Sequence, residues 1–426
     1  MAVTTNTRKL AALLGASGAG IGTDGLMQAA AVDTNLDARV FPHTTSTSNP
    51  ALNTNPSATG HVWYNKTTGQ SFICTDATGG ANVWKNTNAD RGGIGPAYVI
   101  SWLVIGGGGA GGGYYRSGGG GAGGYRNSYN SEMSGDRASS ETAWTVTPGT
   151  TGAITVVVGA GAAMVQQTSG NTAAQGGASS ITAAGALAAG SSPISSTGGG
   201  GGGAYGGNGG AGGSGGGAGH VSNSASSGAS GVANQGGDGG SCGSNTHSLG
   251  GCGGGAAGNG NAGAQQIQTY AGQGLFSAIT GFKVQRAAGG GAGGYAPGGL
   301  GRGGMGGGGE GGNEQSRGEN HFGGAAHIPH IFPTNTRENF AAYYQPTNGV
   351  DYTGSGGGGQ SGDTALKSDH VWWPTENQRP GWGGIGIVIL RMPTASYSGI
   401  ISGSPIVSQV GTDTVLQFGG NGTYTT

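Results

Sequence analysis

His321, His327 and His330 fall within ten residues of one another, and Glu314 and Glu319 stand just before them. Imidazole suits zinc, copper, iron or nickel. The spacing matches no zinc pattern, and Pro329 opposes a helix there. Loop histidines that add aromatic and hydrogen-bonding surface are the commoner outcome, so no metal is assigned. The paired acids of a glycosidase need a defined separation. Glu132, Asp136 and Glu141 share one loop and Glu310, Glu314 and Glu319 another, but neither spacing fixes such a pair, and solvated loop charges explain both. The stretch 156–161, VVVGAG, imitates the start of a dinucleotide fingerprint. Met164 occupies its third glycine position, and TSGNTAAQGG downstream is no helix. No glycine run ends in Gly-Lys-Ser or Gly-Lys-Thr, so there is no P-loop. The chain is expected to be no enzyme and to carry no cofactor.

Aromatic residues are the more informative chemistry. Tyr114, Tyr115 and Arg116 follow one glycine run; Tyr125, Arg126 and Tyr129 follow the next. Phe322, Phe332, Phe340, Tyr343, Tyr344 and Tyr352 lie further on, with Trp372, Trp373 and Trp382 beyond. Recognition surfaces favour Tyr, Trp and Arg, and aromatic faces suit sugar rings. The competing role is to cap the glycine runs as local mini-cores, and both can hold. Tyr114, Tyr115, Arg116, Tyr125, Phe332, Tyr343, Tyr344, Trp372 and Trp373 are the candidates for receptor binding.

What must position them is unusual. Of 426 residues, 105 are glycine, about a quarter against a usual ~7%. The stretch 198–219, GGGGGGAYGGNGGAGGSGGGAG, has almost no side chain to bury, and similar runs recur at 106–113, 118–124, 289–294, 303–312 and 356–359. Glycine backbone can pack as left-handed helices of three residues per turn, with hydrogen bonds supplied between neighbours. The expected fold is mainly β, with a glycine-rich (polyglycine II) helix bundle and little α. In such a bundle, edge positions are open to Ala204, Tyr205, Asn208, Ala211 or Ser214.

Charged residues make up 8% and the net charge is −1, which leaves no basic field for nucleic acid and no polybasic membrane patch. No apolar run approaches the ~20 residues that span a bilayer. Arg8 and Lys9 before LAALLGA imitate a signal peptide, but the run is short and grades into glycine. Three cysteines, Cys74, Cys242 and Cys252, are too few for a disulfide framework. Cys242 and Cys252 can pair across a glycine loop or stay free, the latter suiting a reducing cytoplasm.

In chain order, residues 4–14 read as a short helix with Leu10, Leu13 and Leu14 on one face and Gly15 as its stop. It needs a partner. With the turn-rich residues up to 57 it makes an arm, 1–57, that orders against something else; the three leucines are the attachment candidates. Residues 58–94 read as a small module, with strands 62–65 and 70–75 around the turn 66–69 and Trp84 closing the far side. Strands 98–105, YVISWLVI, and 383–392, GGIGIVILRM, bracket the glycine-rich domain, 95–392, as a sheet that closes it. AWTVTP and AITVVV, 143–148 and 153–158, read as a pair around 149–152. A C-terminal β segment, 393–426, carries strands near 406–410 and 415–418.

The module, a WYN hairpin followed by a tryptophan, resembles one common in bacteriophage tail fibres. WLVIGGGGAGGG, TVTPGTTGAITVVVGAGA, NQGGDGG, GQGLFSAITGFKVQRAAGGGAGG and GGIGIVILR, in that order, resemble the glycine-rich domain of phage tail-fibre and tail-tip proteins. The strand–glycine–strand order is also similar to the glycine-rich extracellular domain of some receptor tyrosine kinases. The resemblance covers roughly 95–392 and departs from the pattern at 313–350. It implies a β-framework holding a polyglycine bundle, and an adhesin on a virion, made in the host cytoplasm. The arm would dock to other tail or baseplate proteins, and the loops would bind a host surface glycan or outer-membrane protein. A homo-oligomer is expected, trimers being usual for fibres. The alternative is a capsid or baseplate fibre or decoration protein with a purely structural glycine domain.

Overall fold

The structure, a computed structural model, describes residues 42–87, 93–222, 224–243, 249–264, 267–294, 301–312, 346–362 and 379–426. It is mainly β with almost no helix. Among the described residues the helices are two single 3-10 turns, Gly135–Arg137 and Thr394–Ser396, and none is long and apolar enough to cross a membrane. The helix expected at 4–14, with Leu10, Leu13 and Leu14, lies outside the described residues.

The first sheet is the small module: β1 (His43–Ser46), β2 (Val62–Asn65), β3 (Ser71–Asp76) and β4 (Val83–Asn86), in that order. Phe72, Cys74 and Trp84 alternate inward to make its core, and Trp63 meets Trp84 edge to face at 5.9 Å. The sequence read residues up to 57 as part of the arm. Instead β1 pairs parallel with β2, and Asn65 Nδ2 donates to Asn49 Oδ1 at 2.7 Å. Asn82 Oδ1 likewise accepts from the Asn55 N–H at 2.6 Å. Residues 42–57 therefore belong with the module, because their polar groups find partners there.

The next strands are β5 (Tyr98–Ile105), β6 (Tyr125–Asn127), β7 (Trp144–Val146), β8 (Ala153–Val157), β9 (Ser179–Ala183) and β10 (Ile194–Ser196). Then come β11 (Thr269–Tyr270), β12 (Leu275–Ser277), β13 (Val284–Arg286) and β14 (Gly301–Arg302). The last are β15 (Ile387–Pro393), β16 (Ile401–Ser402), β17 (Ile406–Val410), β18 (Asp413–Phe418) and β19 (Gly422–Thr425). One sheet runs β17-β18-β15-β5-β6, with β7 also on β5; another runs β10-β9-β8-β19-β16. β5 and β15 lie side by side, Leu103 opposite Ile389, so the two strongest strands of the domain do close it together. Trp102, Val104, Trp144, Ile154, Ile181, Leu390 and Phe418 fill the space between the sheets. The opposite face of β5 and β15, with Leu103, Ile105, Ile387 and Ile389, packs on Tyr125, Ile279 and Ala287. β5 is buried on both faces along most of its length, which is why it reads as a continuous apolar run.

Two expectations are corrected. The strands on either side of 149–152 do not pair with each other: β7 pairs with β5, while β8 pairs with β9 and β19. The turn is a corner between sheets, closed by the Thr151 N–H on the Thr147 carbonyl at 3.0 Å. The C-terminal strands are no separate segment either. β18 flanks β15 and β19 sits inside the second sheet, since their apolar faces are needed to complete the core.

Between the strands, the glycine runs form neither helix nor ladder, and their hydrogen bonds follow a three-residue rotation. The N–H groups of Gly106, Gly109 and Gly112 donate to the carbonyls of Gly124, Gly121 and Gly118. Those of Gly107 and Ala110 go to Gly177 and Ala174, and those of Gly108 and Gly111 to Gly384 and Gly381. On the acceptor side, Gly107 and Ala110 receive Gly199 and Gly202, Gly109 and Gly112 receive Gly357 and Gln360, and Gly108 receives Ala162. Run 106–113 is thus surrounded by six other segments. Run 118–124 repeats the rule: Gly118, Gly121 and Gly124 donate to Gly203, Gly200 and Thr197, and Gly119 and Ala122 to Gly251 and Gly254. Glycine is demanded by close approach. A β-carbon at Gly107 would overlap the Ala160 carbonyl, and one at Gly201 the Ala173 carbonyl. Ala211 and Asn208 are exposed and Tyr205 is half-exposed. Ala204 and Ser214 are instead buried; the Ser214 hydroxyl faces Gly236 of another run.

Candidate functional site

The runs leave the sandwich, turn at a far end, and return. Residues 106–113 lead outward from β5, and 118–124 lead back to β6. The turn between them holds Tyr114, Tyr115 and Arg116. Tyr115 (φ 26°) and Arg116 (φ 46°) both adopt left-handed backbone, a conformation costing about 1–3 kcal/mol for such residues unless the surroundings hold it. Here they do: the Arg116 N–H donates to Ser361 and the Arg116 carbonyl accepts from His220, each at 2.9 Å. Tight reversal between two packed rods leaves no room for a longer loop.

Neighbouring turns complete the cluster. The Tyr205 N–H donates to the Tyr114 carbonyl at 3.1 Å. The Tyr205 ring meets Tyr115 at 5.6 Å and His220 at 5.8 Å, and its hydroxyl donates to Ser222 Oγ at 3.1 Å. Arg116 is buried, its guanidinium 4.8 Å over the Tyr115 ring, so it supports the tyrosines from beneath. Tyr114, Tyr115 and Tyr205 are half-exposed. Beside them a groove of about 460 Å³ is lined by Val165, Gln166, Gln167, Thr168, Asn171 and Thr172 among others. Tyr205, His220 and this groove were missed by sequence reasoning. The lone aromatic within 198–219 was the signal for Tyr205; the amide-rich groove had none.

Other candidates lie elsewhere. Tyr125 is corrected: it sits in β6 at the sandwich end, fully buried beside Leu103, Ile105 and Ile387. A ring with no exposed surface offers a receptor nothing. Burial also pushes its hydroxyl well above the usual range, despite Arg286 nearby, and the same burial lowers Arg286 to about 10. Phe332, Tyr343, Tyr344, Trp372 and Trp373 lie outside the described residues, as do His321, His327, His330, Glu314 and Glu319. The described residues flanking 313–345 and 363–378 are at the same far end. Gly294 donates to Gly312, Gly312 to Gly359, and Arg116 to Ser361.

The acidic sets have structural work. Glu141 forms an ion pair with Arg126, with Nε to Oε1 at 2.9 Å. Glu132 accepts from Asn127 Nδ2 at 3.0 Å and from the Ala278 N–H at 2.8 Å. The Asp136 N–H donates to the Ala256 carbonyl at 2.7 Å. Glu310 is buried among the glycine runs, and desolvation pushes its carboxyl up to about 7, against the opposing pull of the Gly303 N–H and Arg302. Cys242 and Cys252 are separate buried thiols, raised by burial to about 11 each, which makes them inert. Among the described residues no cluster of His, Cys, Asp or Glu could hold a metal ion. What the far end offers among the described residues is aromatic edges, amides and hydroxyls. No family model, no curated protein and no solved structure matches the chain.

Proposed function

We propose that this chain is a structural protein of a bacteriophage virion, a tail fibre or tail-tip adhesin, which binds a host surface receptor through the far end of a polyglycine II bundle. The observation that carries the reading is the three-residue rotation of hydrogen-bond partners. A helix of three residues per turn presents each successive residue to a different neighbour, and six neighbours about run 106–113 are what parallel packing of such helices requires. A bundle tied along its whole length is rigid, and one set of its turns, at 114–116 and 205–207, stands together at the end away from the sandwich. Loops held on a rigid scaffold are the general arrangement for recognition. Residues 1–41 attach the chain to other virion proteins, and the protein acts by binding.

The test is direct. Purified full chain, labelled, should bind cells of the host that the particles infect, and immunogold should place it at the tail end of the particle. Label on the capsid, with no cell binding, would establish the alternative of a structural decoration or fibre protein. Backbone angles from an experimental structure check the bundle: runs 106–113 and 118–124 should cluster near the polyproline II region.

A further inference from the structure

We infer that the groove at residues 165–174, beside Tyr205, is a subsite for a neutral saccharide of the host surface; this rests on reading the far end as receptor-facing. Its volume, about 460 Å³, lies in the ~300–1,000 Å³ range of small-ligand sites. Its side chains are half committed and half free. Gln167 Oε1 accepts from the Gly113 N–H at 2.7 Å. Gln166 Nε2 donates to the Gly113 carbonyl and to Gln360 Oε1 at 3.3 Å. Asn171 Nδ2 donates to Thr168 Oγ1 at 2.8 Å. Each amide is therefore oriented by one end, two of them by the last glycine of the central run. The other ends, Gln166 Oε1, Gln167 Nε2 and Asn171 Oδ1, have no partner among the described residues. They present acceptor, donor and acceptor along one fixed loop, which suits the hydroxyls of a sugar, each of which both donates and accepts.

The wall is equally fixed. The Tyr205 carbonyl accepts from the Gly170 N–H at 2.8 Å and from Ser169 Oγ at 2.9 Å, which joins the groove loop to the half-exposed tyrosine pair. Val165, exposed in the groove lining beside the oriented amides, gives a sugar ring an apolar patch next to a polar edge. Ordering these groups beforehand removes an entropy cost that binding would otherwise carry. No charged side chain lines the groove among the described residues, which selects an uncharged ring over a phosphate or an acidic sugar. It also lacks the buried aromatic or arginine anchor around which protein partners concentrate their binding energy.

The experiment uses the full chain and host cells with and without periodate, which cleaves vicinal diols of surface sugars. Periodate should lower binding at least tenfold. Asn171→Ala should lower binding to untreated cells at least tenfold, with its melting temperature unchanged. Binding that survives periodate overturns the saccharide while leaving the receptor-facing end intact. Periodate-sensitive binding that Asn171→Ala leaves unchanged places the sugar elsewhere and overturns the groove. No binding to untreated cells overturns both the subsite and the adhesin reading.

Discussion

The sandwich and the hydrogen-bonded glycine runs are buried to the same degree by opposite means. In the sandwich, Trp102, Trp144, Ile154 and Phe418 are fully buried and fill the space between two sheets. In run 106–113 the largest side chain is the methyl of Ala110, and that too is fully buried. The first region gains from apolar area removed from water, ~25 cal/mol per Å². The second has little such area and fixes glycines, the residues with most backbone freedom to lose. Its compensation is a hydrogen bond from every N–H of run 106–113 and backbone contact closer than any side chain permits. A side chain is thus the asset of one region and the fault of the other.

That contrast is broken or sharpened most strongly by paired substitutions. Trp102→Ala empties a fully buried site between the sheets and should cost about 3–5 kcal/mol. Gly201→Val adds apolar volume, which would help an ordinary core, yet its β-carbon would overlap the Ala173 carbonyl. Overpacking of that kind costs ~1–3 kcal/mol or more. Denaturant unfolding of both variants measures this. A valine variant as stable as the parent would mean that the runs are not packed backbone to backbone.

A charge sharpens the comparison inside the bundle. The Glu310 carboxyl is raised to about 7 by desolvation, from an ordinary 4.5. The folded state therefore holds the proton more tightly than the unfolded chain. Stability contributed by the neutral form is complete below pH ~4.5 and is lost as pH rises through ~7. The swing should be about 3 kcal/mol. Melting curves between pH 4 and 8 should fall with rising pH, and Glu310→Gln should flatten them near the acid value. A parent curve without that slope would show that the bundle lets water reach the carboxyl.

On the sandwich side, Arg286 is buried, and its Nε and Nη1 have no hydrogen-bond partner among the described residues. An unpaired buried cation destabilises, and well-packed apolar replacements of buried charge are often neutral or stabilising by ~1–4 kcal/mol. Arg286→Met should raise the melting temperature, and Tyr125→Phe should do little. A loss of stability in Arg286→Met would instead show the guanidinium to be solvated in solution.

How far the sequence was readable follows the same divide. β5, β15 and β18 were legible because buried strands are written in β-branched and apolar residues. β9, β10 and β19 are built from SSITA, ISS and GTYT, and only their neighbours make them strands. The corner at 149–152 looked like a hairpin because a local turn does not say to which sheet each arm goes. Runs 106–113 and 118–124 were plain from composition, but 159–162 and 174–177, whose alanines dilute the signal, were not. At the far end, Tyr114, Tyr115 and Arg116 were visible as aromatic punctuation. Gln166, Gln167 and Asn171 share one loop without any strong pattern, and it meets Tyr205 only through the packing.

The smallest expected effect is the most discriminating. Ala211 lies in the same glycine-rich stretch as Gly201, ten residues on, and composition alone treats the two as equivalent. The packing does not: Ala211 is exposed while Gly201 is buried against another run. Ala211→Ser adds one hydroxyl into open solvent, and surface changes of this kind stay within about ±0.5 kcal/mol. The stretch would then tolerate side chains at its outward positions and reject them inside, with a period of three where a run lies at the edge of the bundle. Serine placed in turn at positions 208–213, 215 and 216, beside the native Ser214, would trace that period in the melting temperatures. A uniform small loss at every position would describe a flexible linker instead, and a uniform large loss would describe a run enclosed on all sides.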